Sequence, residues 1–118
     1  MAHVLIVDDE PTIRRLVQTV LELEGHKVTT ADDGQQALDR VGEQPPDVLV
    51  LDVRLPGIDG WEVLRRLDAL QLGTRVVLLS AAPDIDLAAG DGATAVLAKP
   101  FEIDHLVAAV DRLTAPAH

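Results

Sequence analysis

The chain has 118 residues, 47% of them hydrophobic and 2% aromatic, and no cysteine. It can bury one aliphatic core, and it excludes a disulfide scaffold, thiolate zinc and cysteine catalysis. Twenty acids against ten bases give a formal net charge of −10, which argues against direct nucleic-acid binding, because phosphates require Lys and Arg.

In chain order, "HVLIV" (3–7) is short, continuous and β-branched, the pattern of a strand buried on both faces. A helix follows over 11–24, with Pro11 in its first turn, a stripe of Ile13, Leu16, Val17, Val20 and Leu21, and Gly25 as its stop. "KVTTA" (27–31) is a weaker strand, "GQQALDRV" (34–41) a short helix and "EQPPD" (43–47) a turn. "VLVLDV" (48–53) is a second buried strand, "LPGIDG" (55–60) a loop, and a helix covers about 61–70. "RVVLLS" (75–80) is a strand, "PDIDLAAG" (83–90) a short weak helix, "TAVLA" (94–98) a strand, and 102–113 a last helix striped by Ile103, Leu106, Val110 and Leu113. Strict alternation predicts a doubly wound α/β domain spanning 1–118, its parallel sheet covered by helices on both faces. No run approaches the roughly 20 apolar residues of a membrane helix, and the first apolar run ends in acids rather than at a cleavage site. A cytoplasmic location without membrane contact is therefore expected.

In such sheets ligands sit beyond the carboxyl ends of the strands, at the topological switch point. In the order 2-1-3-4-5, strands one and three flank that point. Strand one ends at Asp8 and Asp9, strand three at Asp52, strand four at Ser80 and strand five at Lys99. Each has an ordinary explanation alone. Asp9 and Glu10 could cap the helix at Pro11, Asp52 could be a turn residue, Ser80 a cap and Lys99 a solvated charge. Together they would have to explain four strand ends at once. Three gathered carboxylates repel unless a cation neutralises them, and oxygen-only ligands suit a hard divalent ion such as Mg²⁺. With the Lys99 ammonium and the Ser80 hydroxyl the set describes a site for a phosphoryl group, and Asp52 is the natural nucleophile.

With these residues in that order, the chain resembles a response-regulator receiver domain, the phosphoacceptor half of two-component signalling. The resemblance rests on Asp8 and Asp9, "LDVRLPGIDG" (51–60), "LLSA" (78–81), "DGA" (91–93) and "AKPF" (98–101). It implies a flavodoxin-like, three-layer fold. It implies phosphoryl transfer to Asp52 from a sensor histidine kinase, a phosphotransfer protein or a small phosphodonor. It also implies Mg²⁺ held by Asp9, Asp52 and the backbone carbonyl of Arg54, with Asp8 acting through water, and Lys99 and Ser80 engaging the phosphoryl oxygens. The family's Lys–Pro bond is typically cis, here Lys99–Pro100. The implied protein is a switch rather than an enzyme, with an unknown downstream partner and self-association as one form of output.

The chain departs from the family at two places. Val96 stands where a Tyr or Phe usually lies, three residues before the lysine. The segment from Ser80 to Lys99 is about three residues short, nearly one helical turn, so the fourth helix is expected to be shortened or disordered. Arg54 occupies the place two residues after the nucleophile where an aspartyl-phosphate hydrolase commonly has its general acid, which weighs against a hydrolase. The departures at Val96 and in the segment after Ser80 keep a second reading in view, a receiver-like interaction module with little phosphorylation-driven switching. Gly57 and Gly60 are assigned to the tight turn, Trp61 to a helix edge, Phe101 to packing after the Lys–Pro turn, and His3, His26, His105 and His118 to structural or exposed places.

Overall fold

The apolar runs become parallel strands, and the striped segments become helices that cover them. The computed structural model describes residues 2–81, 95–99 and 101–114. Its strands are β1 (His3–Val7), β2 (Lys27–Ala31), β3 (Val48–Asp52), β4 (Arg75–Ala81) and β5 (Ala95–Lys99). All neighbouring pairs are parallel, in the order β2-β1-β3-β4-β5. Four helices lie among the described residues: α1 (Pro11–Leu23), α2 (Gly34–Glu43), α3 (Gly60–Leu70) and α4 (Ile103–Thr114). The helix expected over 83–90, with its shortening, lies outside the described residues, as do Pro100 with its peptide geometry, and His118. The last strand begins and ends one residue later than the sequence pattern suggests.

Because side chains alternate along a strand, each central strand serves two cores. Leu5, Val7, Leu49, Leu51, Val76 and Leu78 face one, closed by Ala37 and Val41 of α2 and Val63, Leu64 and Leu67 of α3. Val4, Ile6, Val48, Val50, Val77 and Leu79 face the other, closed by Val17 and Leu21 of α1 and Leu106, Ala109 and Val110 of α4. The result is the three-layer sandwich. Each such buried Val or Leu contributes about 1.5–3 kcal/mol. Leu16 is a correction to the expected stripe, since it is 49% exposed. On a helix of about 100° per residue it sits a full step off the line through Ile13, Val17 and Leu21.

Helix starts follow short polar side chains. Asp33 Oδ1 accepts the Gln36 N–H at 2.7 Å, and Asp59 Oδ1 accepts the Glu62 N–H at 2.9 Å. Before Pro11, Glu10 holds the cap position but makes no side-chain cap bond. The capping explanation for that residue is therefore not carried by its carboxylate.

His26 and His3 are structural, as expected. His26 Nε2 lies 3.1 Å from Asp111 Oδ1 and joins the start of β2 to α4. His3 Nε2 lies 2.9 Å from Thr29 Oγ1 on the neighbouring strand. Burial, then the charge of Lys27, holds His3 below its ordinary pKa of 6.5, outweighing Asp47. The unfolded chain therefore takes up a proton at this residue that the folded chain resists. The stability it contributes is complete above pH 6.5 and is lost as the pH falls through the lower folded value. Urea unfolding of His3→Gln is expected to lose less stability than wild type as the pH falls below 6.5. Equal losses would remove His3 from the acid sensitivity.

Candidate functional site

β1 and β3 are neighbours, and Val7 pairs with Leu51. One step further along both strands stand Asp8 and Asp52. They continue the even-numbered series Val4, Ile6 and Val48, Val50 that faces the α1 and α4 side. Sheet register alone thus brings these two acids together, and the turn into α1 adds Asp9. One carboxylate oxygen from each of Asp8, Asp9 and Asp52 lies within 4.8 Å of the others. Asp8 is 1% exposed and Asp52 3%, whereas Asp9 is open to solvent. At such separations two like charges repel by roughly 3 kcal/mol at an effective dielectric of about 20.

Backbone donors fix the two buried acids. The Glu10 N–H donates to Asp8 Oδ1 at 2.9 Å, and the Arg54 N–H donates to Asp52 Oδ1 at 3.1 Å. Arg14 Nη1 donates to the backbone carbonyl of Asp8 at 2.7 Å, so α1 grips the acid turn from behind. The local sequence pattern does not mark Arg14, although a signal exists. Helical side chains lean toward the N-terminus, so a long cation in the second half-turn reaches back to the strand end.

Ser80 is buried at 1% exposure on β4. It lies one residue past Leu79, which pairs with Asp52 and accepts the Val53 N–H at 3.1 Å. Lys99 ends β5 with its backbone paired to Ala81. The structure therefore gathers Asp8, Asp9 and Asp52 into one cluster, and brings Ser80 and the Lys99 backbone to the same edge of the sheet. Arg54 is exposed, two residues beyond Asp52. Val96 pairs with Leu78 and packs half-buried on the core under α2 and α3. Trp61 is half-buried at the start of α3, as expected. With Asp9, Arg54, Pro56 and Asp59 it borders an open hollow of about 550 Å³ next to the acids. Phe101 packs on the opposite core, also as expected.

The donor set is oxygen only, with two buried carboxylates and one exposed. That suits a hard divalent cation that keeps part of its water shell, as Mg²⁺ does. A soft metal would call for thiolate or imidazole, and neither is present in the cluster.

A family model described as the response regulator receiver domain matches residues 4–111. Sporulation initiation phosphotransferase F of Bacillus subtilis is 38% identical over 112 residues, covering 92% of this chain and 90% of that protein. The uncharacterized transcriptional regulatory protein YkoG of the same species is 43% identical over 111 residues, and there the chain spans only 49% of the relative's length. Among solved structures, the receiver domain of the Francisella response regulator 1452 superposes with a TM-score of 0.91 at 33% identity, covering 96% of both chains. Chemotaxis protein CheY4 of Vibrio cholerae superposes at 0.84 with 32% identity, covering 96% of this chain and 98% of that one. No described helix is long and apolar enough to cross a membrane.

Proposed function

The chain belongs to the response regulator receiver domain family, and from that premise we propose that Asp52 is its phosphoacceptor, with Asp8, Asp9 and the Arg54 carbonyl completing a Mg²⁺ site. It is a signalling domain of two-component systems, and its family favours a phosphorylation switch over a passive interaction module. The observation that carries the site assignment is the convergence of Asp8, Asp9 and Asp52 within 4.8 Å.

On this reading a carboxylate oxygen of Asp52 attacks the phosphorus of a phosphohistidine or a small phosphodonor. A P–O bond to Asp52 forms as the P–N bond to the imidazole, or the P–O bond to an acyl group, breaks. The leaving imidazole takes its proton from solvent. Bound Mg²⁺ would supply positive charge to the phosphoryl oxygens and offset the repulsion among the acids. The Arg54 N–H holds Oδ1 of Asp52, which orients the other oxygen for attack. The Ser80 hydroxyl and the Lys99 ammonium are assigned to the phosphoryl oxygens. Hydrolysis reverses the state: water attacks phosphorus, the bond to Asp52 breaks, and a proton is released. Arg54 stands two residues after Asp52, where a hydrolase commonly places a carboxylic general acid, and the reading is therefore a switch rather than a turnover enzyme.

The phosphodonor partner is a sensor histidine kinase or a phosphotransfer protein, and a cytoplasmic location belongs to the same proposal. With Val96 in place of a large ring, the output does not use an aromatic rotamer. Residues 1–118 are taken as one receiver domain. The output partner is assigned no further than a protein surface or a second copy.

Metal removal tests the reading. Incubated with acetyl phosphate and Mg²⁺, the protein is expected to gain one phosphoryl group by intact mass, and none when EDTA replaces the ion. Equal labelling with and without Mg²⁺ would separate the acids from the chemistry, and no labelling in either case would favour the interaction module.

A further inference from the structure

The loop "LPGIDG" carries two glycines that the sequence treats alike and the structure does not. Gly57 has φ +72°, and a Cβ there would meet nothing within 4 Å. It serves the turn. Gly60 does not have a positive φ. A Cβ on Gly60 would instead run into the carbonyl oxygen of Asp52 and the Cα of Val53, which are backbone atoms and cannot swing aside. The Gly60 N–H also donates to the Val53 carbonyl at 2.8 Å. The first residue of α3 therefore lies directly on the peptide that carries Asp52. Asp59 caps the helix at the same point and so fixes where the helix starts.

A second glycine backs the loop from the other side. A Cβ on Gly34, the first residue of α2, would overlap the carbonyl oxygen of Ile58. Loop 53–59 is thus pressed between two helix starts, each of which approaches it only because it lacks a side chain.

We propose that Gly60 is a positioning residue for Asp52, with Gly34 as its support: the bare backbone of the α3 start fixes where the Asp52 carboxylate stands relative to Asp8 and Asp9. This rests on Asp52 as the phosphoacceptor. Phosphoryl transfer is mostly positioning, so a displacement of a few tenths of an ångström at Asp52 acts on rate and on ion affinity.

The test compares Gly60→Ala, Gly34→Ala and Gly57→Ala with wild type and Asp52→Asn. The readouts are phosphorylation rate from acetyl phosphate at saturating Mg²⁺, Mg²⁺ affinity by calorimetry, and urea unfolding. Gly60→Ala is expected to lose about ten-fold or more in rate, and to bind Mg²⁺ more weakly, while still folded. Gly34→Ala is expected to lose less, because it reaches Asp52 through the loop. Gly57→Ala is expected to lose stability through its positive φ, yet keep rate and affinity within about two-fold once folded. A folded Gly60→Ala with wild-type rate and affinity overturns the proposal, and so does a Gly57→Ala that loses as much as Gly60→Ala. Where Gly60→Ala does not fold, Gly34→Ala decides: a loss exceeding that of Gly57→Ala supports the proposal, and an equal one overturns it. A wild-type chain that binds Mg²⁺ without labelling at Asp52 sinks the phosphoacceptor reading, and the positioning claim is then judged on Mg²⁺ affinity alone. A wild type that takes up neither ion nor phosphoryl group overturns both.

Discussion

Asp52→Asn is expected to fold like wild type and to take up no phosphoryl group. The amide is nearly the size of the carboxylate, and its oxygen can still accept the Arg54 N–H that now reaches Asp52 Oδ1 at 3.1 Å. What it lacks is the anionic oxygen that attacks phosphorus, so labelling from acetyl phosphate should fall at least about a thousand-fold. Removing one of three crowded negative charges should also stabilise the ion-free protein. The two signs together are diagnostic, because a merely structural Asp52, buried at 3% exposure, would show a loss of stability when altered. Labelling of Asp52→Asn at the wild-type rate would move the phosphoacceptor to another side chain.

Asp9→Asn is expected to separate charge repulsion from ion binding. In metal-free buffer the variant should be more stable than wild type by about 1 kcal/mol, because one repelling charge is gone and Asp9, being solvent-exposed, is partly screened. Added Mg²⁺ should reverse the order. Wild type gains about 2.7 kcal/mol at an ion concentration one hundred times its dissociation constant, whereas a variant that no longer holds the ion gains almost nothing. Denaturant melts at several Mg²⁺ concentrations check both halves. Identical Mg²⁺ responses in the two proteins would place the ion elsewhere.

Much of this site was legible because parallel strands end at one edge. Once "HVLIV" and "VLVLDV" are read as buried neighbours, the period of two along each strand brings Asp8 and Asp52 to the same face. The local pattern was less complete where a contact spans the chain without a periodic signature. Leu16 fits a helical stripe but lies on its margin. Arg14 reaches back to the Asp8 carbonyl, which only the lean of helical side chains would suggest. Gly60 reads as a turn residue, and its approach to the Asp52 peptide depends on where α3 begins relative to β3, which no local pattern encodes. Val96 occupies an ordinary packing place opposite Leu78.

The central claim is that Asp8, Asp9 and Asp52, with Ser80 and Lys99 at the same sheet edge, form one phosphoryl site. Amide NMR of wild type before and after adding Mg²⁺ with beryllofluoride, a phosphoryl mimic, tests it most directly. The largest shifts are predicted at residues 8–10, 52–54, 80 and 99, and they should vanish in Asp52→Asn. Shifts centred on any other surface, or an unchanged response in Asp52→Asn, would contradict the account.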